Sequence, residues 1–195
     1  MEILRHTDLI DVPWKNGGGI TREIATATLG SRTAWRLSRA DVAQDGPFSD
    51  FSGVVRILTV VSGGGVDLEH ATGVLNASLW SPVRFDGALK VFARLTDGPL
   101  TDLNLMFDPS ICDGEVIVHR GPCEPAVSAA SAGMIAFHGL AGTPVIDGVS
   151  LSPGDTIFAG NSAASPTLKD GDAMLEIRLH YLDQSAAIKL AIAAR

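Results

Sequence analysis

The 21 glycines and 10 prolines of this 195-residue chain are spread along its whole length, with short β-branched runs filling the gaps between them. Both residues interrupt long regular elements, so a chain punctuated this often is confined to short strands joined by tight turns. Roughly a dozen such runs, from Ile20–Thr26 through Leu89–Leu95 to Ala173–His180, predict an all-β fold built of sandwiches or barrels. With 46% hydrophobic and 19% charged residues, a core can form without a metal or disulfide staple.

The charge balance narrows the partners. A net charge of −7 and the lack of any basic run argue against nucleic acid, whose phosphates are bound by clustered Lys and Arg. The apolar stretches fall far short of the ~20 residues that span a bilayer, so no membrane partner is expected. The N-terminus lacks the basic, apolar, then small pattern of a secretory signal, which predicts a cytoplasmic protein. Cys112 and Cys123, the two cysteines, read as isolated small side chains rather than a disulfide framework.

Two stretches, Leu58 to Gly87 and Ile135 to Gly160, share one pattern: strand, Gly-rich turn, strand, tight turn, strand, proline, strand, glycine. Such an internal repeat predicts two similar β-barrels in tandem. The expected domains are 1–110 and 111–195, with the boundary near Pro109 to Gly114. The final segment, Ser185 to Arg195, is Ala-rich, free of Gly and Pro, and ends in Arg, which predicts a short C-terminal helix. That helix is a candidate homodimer contact.

Three clusters carry chemical information. Pro13-Trp14-Lys15-Asn16-Gly17-Gly18-Gly19 precedes a strand in which Thr21, Glu23 and Ala25 alternate with Ile20, Arg22 and Ile24. No helix pattern and no Gly-Lys-Ser/Thr follow the glycines, so a phosphate loop is excluded. In the second cluster, period 2 places Arg36, Ser38 and Ala40 on one face, opposite Trp35, Leu37 and Arg39. In the third, Asp102, Asn104 and Met106 share a face opposite Leu103, Leu105 and Phe107. Leucine and phenylalanine pack, whereas buried aspartate, asparagine and arginine need partners. A barrel whose lumen is lined by Arg36, Ser38, Asp102, Asn104 and Met106 meets that need with a polar pocket; the alternative leaves those faces in solvent.

The Ser152-Pro153-Gly154-Asp155 turn and the strand after it resemble the segment that closes the small barrel of cupins. The five histidines, His6, His70, His119, His138 and His180, contain no His-x-His and no i, i+4 pair, so no metal cofactor is expected.

Together, Trp14-Lys15-Asn16-Gly17-Gly18-Gly19-x-Thr21-Arg22-Glu23-Ile24, Trp35-Arg36-x-Ser38-x-Ala40, Gly46-Pro47-Phe48-Ser49-x-Phe51-x-Gly53, Arg56 and Asp102-x-Asn104-x-Met106 resemble the HutD/Ves family. The resemblance runs from about residue 8 to residue 183. It implies a bicupin, two jelly-roll barrels in one chain without the metal-binding histidines of catalytic cupins. It further implies an accessory or regulatory role in bacterial histidine utilisation, with urocanate or formylglutamate as ligand; another branch of the family is linked to cold or stress response.

Both ligands are small anions. Arg36, Arg56, Asn16 and Asn104 offer fork-shaped or amide donors to a carboxylate, Asp102 can accept from an imidazole or amide N–H, and Trp14 and Phe48 can form a flat apolar wall. The candidate ligand-binding set is Asn16, Arg22, Glu23, Arg36, Ser38, Phe48, Ser49, Arg56, Asp102, Asn104 and Met106, with no catalytic or cofactor residue assigned. Two other readings stay open. One is a metal-independent isomerase or hydrolase with Glu23 or Asp102 as general base and an Arg steadying an oxyanion. The other is an interaction module whose barrel only presents a surface.

Overall fold

The computed structural model describes residues 1–182 and 188–193. In chain order its first strands are β1 (Glu2–Leu4), β2 (Val12–Pro13), β3 (Gly19–Leu29), β4 (Arg32–Val42), β5 (Gly46–Pro47) and β6 (Val55–Gly63). They are followed by β7 (Val66–His70), β8 (Gly73–Ala77), β9 (Val83–Asp86), β10 (Phe92–Leu95), β11 (Leu100–Phe107) and β12 (Cys112–Arg120). The remainder are β13 (Gly133–Ala141), β14 (Val145–Ile146), β15 (Val149–Ser150), β16 (Thr156–Gly160), β17 (Pro166–Thr167), β18 (Ala173–Tyr181) and β19 (Ile188–Ile192). The fold is all-β, of the cupin type expected. Among the described residues, no helix is long and apolar enough to cross a membrane.

The chain divides into two units. One holds Leu9–Ile111 and takes in β19; the other holds Cys112 onward and takes in Met1–Asp8. The ends are therefore exchanged relative to the simple division into 1–110 and 111–195, each terminal strand joining the unit remote from it in sequence.

In the first unit, one sheet runs β19-β3-β4-β11-β6-β9, with β2 also on β3, and a second runs β5-β10-β7-β8. The two sheets enclose an apolar cluster that includes Leu58, Val60, Val66, Leu68, Phe85 and Leu100. In the second unit the sheets run β1-β16-β13-β18-β12 and β15-β14-β17, around Ile135, Phe137, Ile146, Leu151, Ile157 and Met174. The internal repeat appears in this topology. A long strand (β6 or β13) leads into a hairpin in the other sheet, and the chain returns on a strand (β9 or β16) that pairs with the long one. Cys112 is buried and Cys123 half-buried.

The C-terminal helix is corrected. Residues 188–192 form β19, antiparallel to β3 with Leu190 opposite Ala27, while residues 185–187 and 194–195 lie outside the described residues. Alanine content favours a helix in isolation, but the edge of β3 presents unpaired backbone groups that a strand satisfies. Ala193 N–H donates to Ile24 C=O at 2.9 Å and extends the pairing.

Candidate functional site

Strand register brings the polar alternation of separate segments onto one face. On β4 and β11, Asp102 lies opposite Ala40, Asn104 opposite Ser38 and Met106 opposite Arg36. On β11 and β6, Met106 lies opposite Arg56. Residues directly opposite point to the same side of a sheet, so these side chains converge. The other face of β4 and β11 carries Trp35, Leu37, Leu103, Leu105 and Phe107, all buried.

The convergent groups line a cavity of about 500 Å³ in the first unit. Its walls include Arg36, Ser38, Arg56, Asp102, Asn104 and Met106 from the strands, Asn16 from the Gly-rich segment, and Phe48 and Ser49 from the loop after β5. Nine of the eleven candidate residues are thus brought together. The other two are not. Arg22 sits on the opposite face of β3, where Nε donates to Asp11 Oδ1 at 2.5 Å and Nη1 to Asp41 Oδ2 at 2.7 Å. Glu23 lies outside the lining with its side chain 48% exposed, and its Oε2 accepts from Arg36 Nε at 2.9 Å. It steadies one wall residue from the rim.

Lys15, Thr21 and Phe51 also line the cavity and were missed by sequence reasoning. Thr21 shares the alternating face of Glu23, a signal already present in the sequence. Phe51 follows Phe48 by three residues, and both rings flank the same cation.

That cation is Arg56, only 4% exposed. Its guanidinium carbon lies 5.2 Å from the ring centroids of Phe48 and Phe51 and 5.1 Å from that of Phe85. Its Nε donates to Asn104 Oδ1 at 3.4 Å, a long bond, and no carboxylate of the described residues forms an ion pair with it. Burial lowers its pKa to about 10, against the pull of the Asp102 charge, so it stays cationic at neutral pH. Asp102 is 2% exposed, and its Oδ1 is buried without a hydrogen-bond partner among the described residues. Desolvation raises the Asp102 pKa to about 7, opposed by Arg56 and assisted by the Asp41 charge.

The Gly-rich segment frames the mouth. Trp14 Nε1 donates to Thr21 Oγ1 at 2.7 Å, and Asn16 Oδ1 accepts from the Gly18 N–H at 3.0 Å. Gly17 adopts a φ of +71°, which glycine tolerates without steric cost. A Cβ on Gly19 would lie 3.1 Å from the Trp14 ring and would overlap the Asp41 carbonyl oxygen. The turn therefore requires glycine at 17 for its dihedral and at 19 for close approach.

The histidines are engaged separately. His6 Nδ1 lies 2.9 Å from Asp155 Oδ1, His119 Nε2 lies 2.7 Å from Glu176 Oε2, and His138 Nδ1 lies 2.9 Å from Thr156 Oγ1. Among the described residues, no three His, Cys, Asp or Glu side chains gather as metal ligands.

The HutD family profile matches residues 6–175. The chain belongs to the HutD family. Among curated relatives, it is 38% identical over 116 residues to an uncharacterized 21.2 kDa protein in the hutC 3′ region of Pseudomonas putida, covering 56% of this chain and 59% of that protein. It is likewise 38% identical over 108 residues to the protein Ves of Citrobacter koseri, covering 54% and 56% of the two chains. These matches span little more than half the length of either relative. Among solved structures, HutD from Pseudomonas fluorescens SBW25 superposes with a TM-score of 0.81 at 30% identity, covering 93% of this chain and 99% of that one. Oxalate decarboxylase, at 9% identity and a TM-score of 0.61 over 97% of this chain and 79% of that one, shares the fold alone.

Proposed function

We propose that this HutD-family chain acts in histidine utilisation as a small-molecule binding protein, holding a carboxylated intermediate such as urocanate or formylglutamate in the first barrel. The observation that carries the reading is Arg56: a buried guanidinium on the wall of a cavity, ringed by three phenylalanines and, among the described residues, lacking an ion-paired carboxylate. A desolvated cation is costly until an anion meets it. A carboxylate fits its planar fork of N–H donors, and the phenylalanine walls suit a small organic anion. The hutC-region relative supports the pathway.

The test is thermal unfolding with millimolar urocanate or formylglutamate. A ligand that binds only the folded state at one hundred times its Kd adds about 2.7 kcal/mol, so the unfolding temperature rises by several degrees, and Arg56→Met abolishes the rise. Absence of a shift with either ligand on the wild-type protein overturns the reading.

A second reading rests on Asp102. A buried carboxyl with its pKa raised to about 7 suits general acid–base work at neutral pH, and Glu23, the other base considered, is held by Arg36 outside the lining. Turnover of a pathway intermediate with a pH limb near 7, lost in Asp102→Asn, would favour a metal-independent enzyme.

A further inference from the structure

We propose that Asp102 is the specificity-determining acceptor of the pocket, selecting carboxylic acids that carry an N–H donor over those of the same shape that lack one. The inference rests on the binding reading above and adds the second functional group that the ligand must bear.

The geometry leaves two unmet demands on neighbouring strands. Among the described residues, Arg56 on β6 is a donor without an ion-paired acceptor. On β11, Asp102 Oδ1 is an acceptor without a donor among the described residues, although Asp102 is buried and belongs to the cavity lining. Arg56 and Asp102 do not satisfy one another by hydrogen bonding: the guanidinium spends its Nε on Asn104 Oδ1. An unpartnered buried polar atom is costly and rare in native structures. Hydrocarbon would fill the space more stably, so the pair reads as a site awaiting a partner of mixed character. A carboxylate answers Arg56 and an N–H answers Asp102, whereas a plain carboxylate would leave Asp102 unmet and bring a second negative charge beside it.

The surroundings set the pH dependence. Arg56 faces Asp102 from β6, Arg36 lines the cavity from β4, and Lys15 lines it from the segment before β3. Asp41 lies on the other face of β4, opposite Thr101, and adds a negative field. Glu23 is neutralised by Arg36 at the rim. The ionised carboxyl accepts an N–H more strongly than the neutral acid, which also turns a donor toward the ligand, and burial holds the Asp102 pKa up at about 7. Selection for an N–H donor therefore strengthens as pH rises through neutrality.

Two matched pairs of probes test this by calorimetry on the full chain: urocanate against cinnamate, which replaces the imidazole by phenyl, and N-acetylglycine against levulinate, which replaces N–H by CH2. The expected result at about pH 8 is an advantage of roughly tenfold or more for the N–H member of each pair. The advantage of N-acetylglycine shrinks toward about pH 6, a range in which neither member of that pair titrates. Asp102→Leu, nearly isosteric, removes the advantage; should that variant fail to fold, the wild-type pH series carries the same information. Equal affinity within each pair at about pH 8, or a plain carboxylate bound more tightly there, overturns the inference and leaves the binding reading standing. No binding by any of the four overturns both.

Discussion

Asn104 Oδ1 accepts from Arg56 Nε at 3.4 Å, and this long contact is the guanidinium's hydrogen bond among the described residues. The buried guanidinium is stabilised by the three phenylalanine rings, whose attraction is about 1–2 kcal/mol per well-placed face, and by the Asp102 charge. Replacing a poorly paired buried charge by an apolar side chain of similar length is often neutral or stabilising. Arg56→Met should leave the unfolding free energy of the free protein, read from urea denaturation, unchanged or raise it by up to about 2 kcal/mol, while removing the stabilisation that the proposed ligand gives. A marked fall in the midpoint would mean that the guanidinium is already satisfied.

Asp102 makes stability fall as pH rises. Its pKa in the folded chain is raised from 3.8 to about 7 by burial, so the folded state holds a proton that the unfolded state releases. Stability from this group is complete below the unfolded pKa and is lost between about pH 4 and pH 7. Asp102→Asn cannot ionise, so its stability relative to wild type should be small at about pH 4 and should grow to a few kcal/mol by about pH 8. Urea unfolding across this range measures the difference. Parallel curves for the two proteins would show that Asp102 titrates normally.

The three consecutive glycines serve different ends, and alanine substitution separates them. At Gly19 a Cβ meets the Asp41 backbone carbonyl and the Trp14 ring, neither of which can swing aside. Gly19→Ala should cost about 1–3 kcal/mol and weaken binding by shifting Trp14. Gly17→Ala has open space but a φ of +71°, a strain of about 1 kcal/mol. Gly18→Ala meets the Asn16 side chain at 3.3 Å and should be the mildest. Thermal unfolding of the three variants ranks them, and a Gly19→Ala variant as stable as Gly18→Ala would contradict the packing argument.

In the second unit, the buried carboxylate of Glu176 accepts from Arg178 Nε and lies 2.7 Å from His119 Nε2. Its partners are partly exposed while Glu176 is not, so the cost of losing the charge falls on the buried end. Glu176→Gln should lower stability by about 1–3 kcal/mol, read from chemical denaturation. Because Glu176 belongs to the other unit, ligand affinity should stay within about twofold of wild type once the protein is folded.

Much of the pocket was legible because a strand has period 2. Alternation put Arg36 with Ser38, and Asp102 with Asn104 and Met106, on common strand faces but left open whether those faces meet an interior or solvent; the register of β4, β11 and β6 brings them together. The same rule should have removed Arg22, since Arg22 and Glu23 are adjacent and cannot both face one lumen. Phe51 and Lys15 were harder, because loop residues have no period and their contribution depends on where the loop is carried. The exchange of chain ends was illegible for a related reason. β1 pairs with β16 across more than 150 positions, Ile3 lying opposite Ile157, and nothing local in either segment names its partner.

The C-terminal strand offers the sharpest contrast between local preference and tertiary pairing. Ala193 N–H donates to Ile24 C=O, and in an antiparallel ladder the residues two apart turn the same way. Ala191, opposite Thr26, should therefore also direct its N–H at β3, while Leu190 directs its own away. Proline at a bonded position removes a ladder hydrogen bond, whereas proline facing outward on an edge strand is tolerated. Ala191→Pro should lower stability by about 1–2 kcal/mol, with Leu190→Pro costing distinctly less. A helix would instead suffer alike from both, since each would remove an interior N–H and clash with the preceding turn. Comparing the two unfolding temperatures decides between the forms, and equal losses would restore the helix.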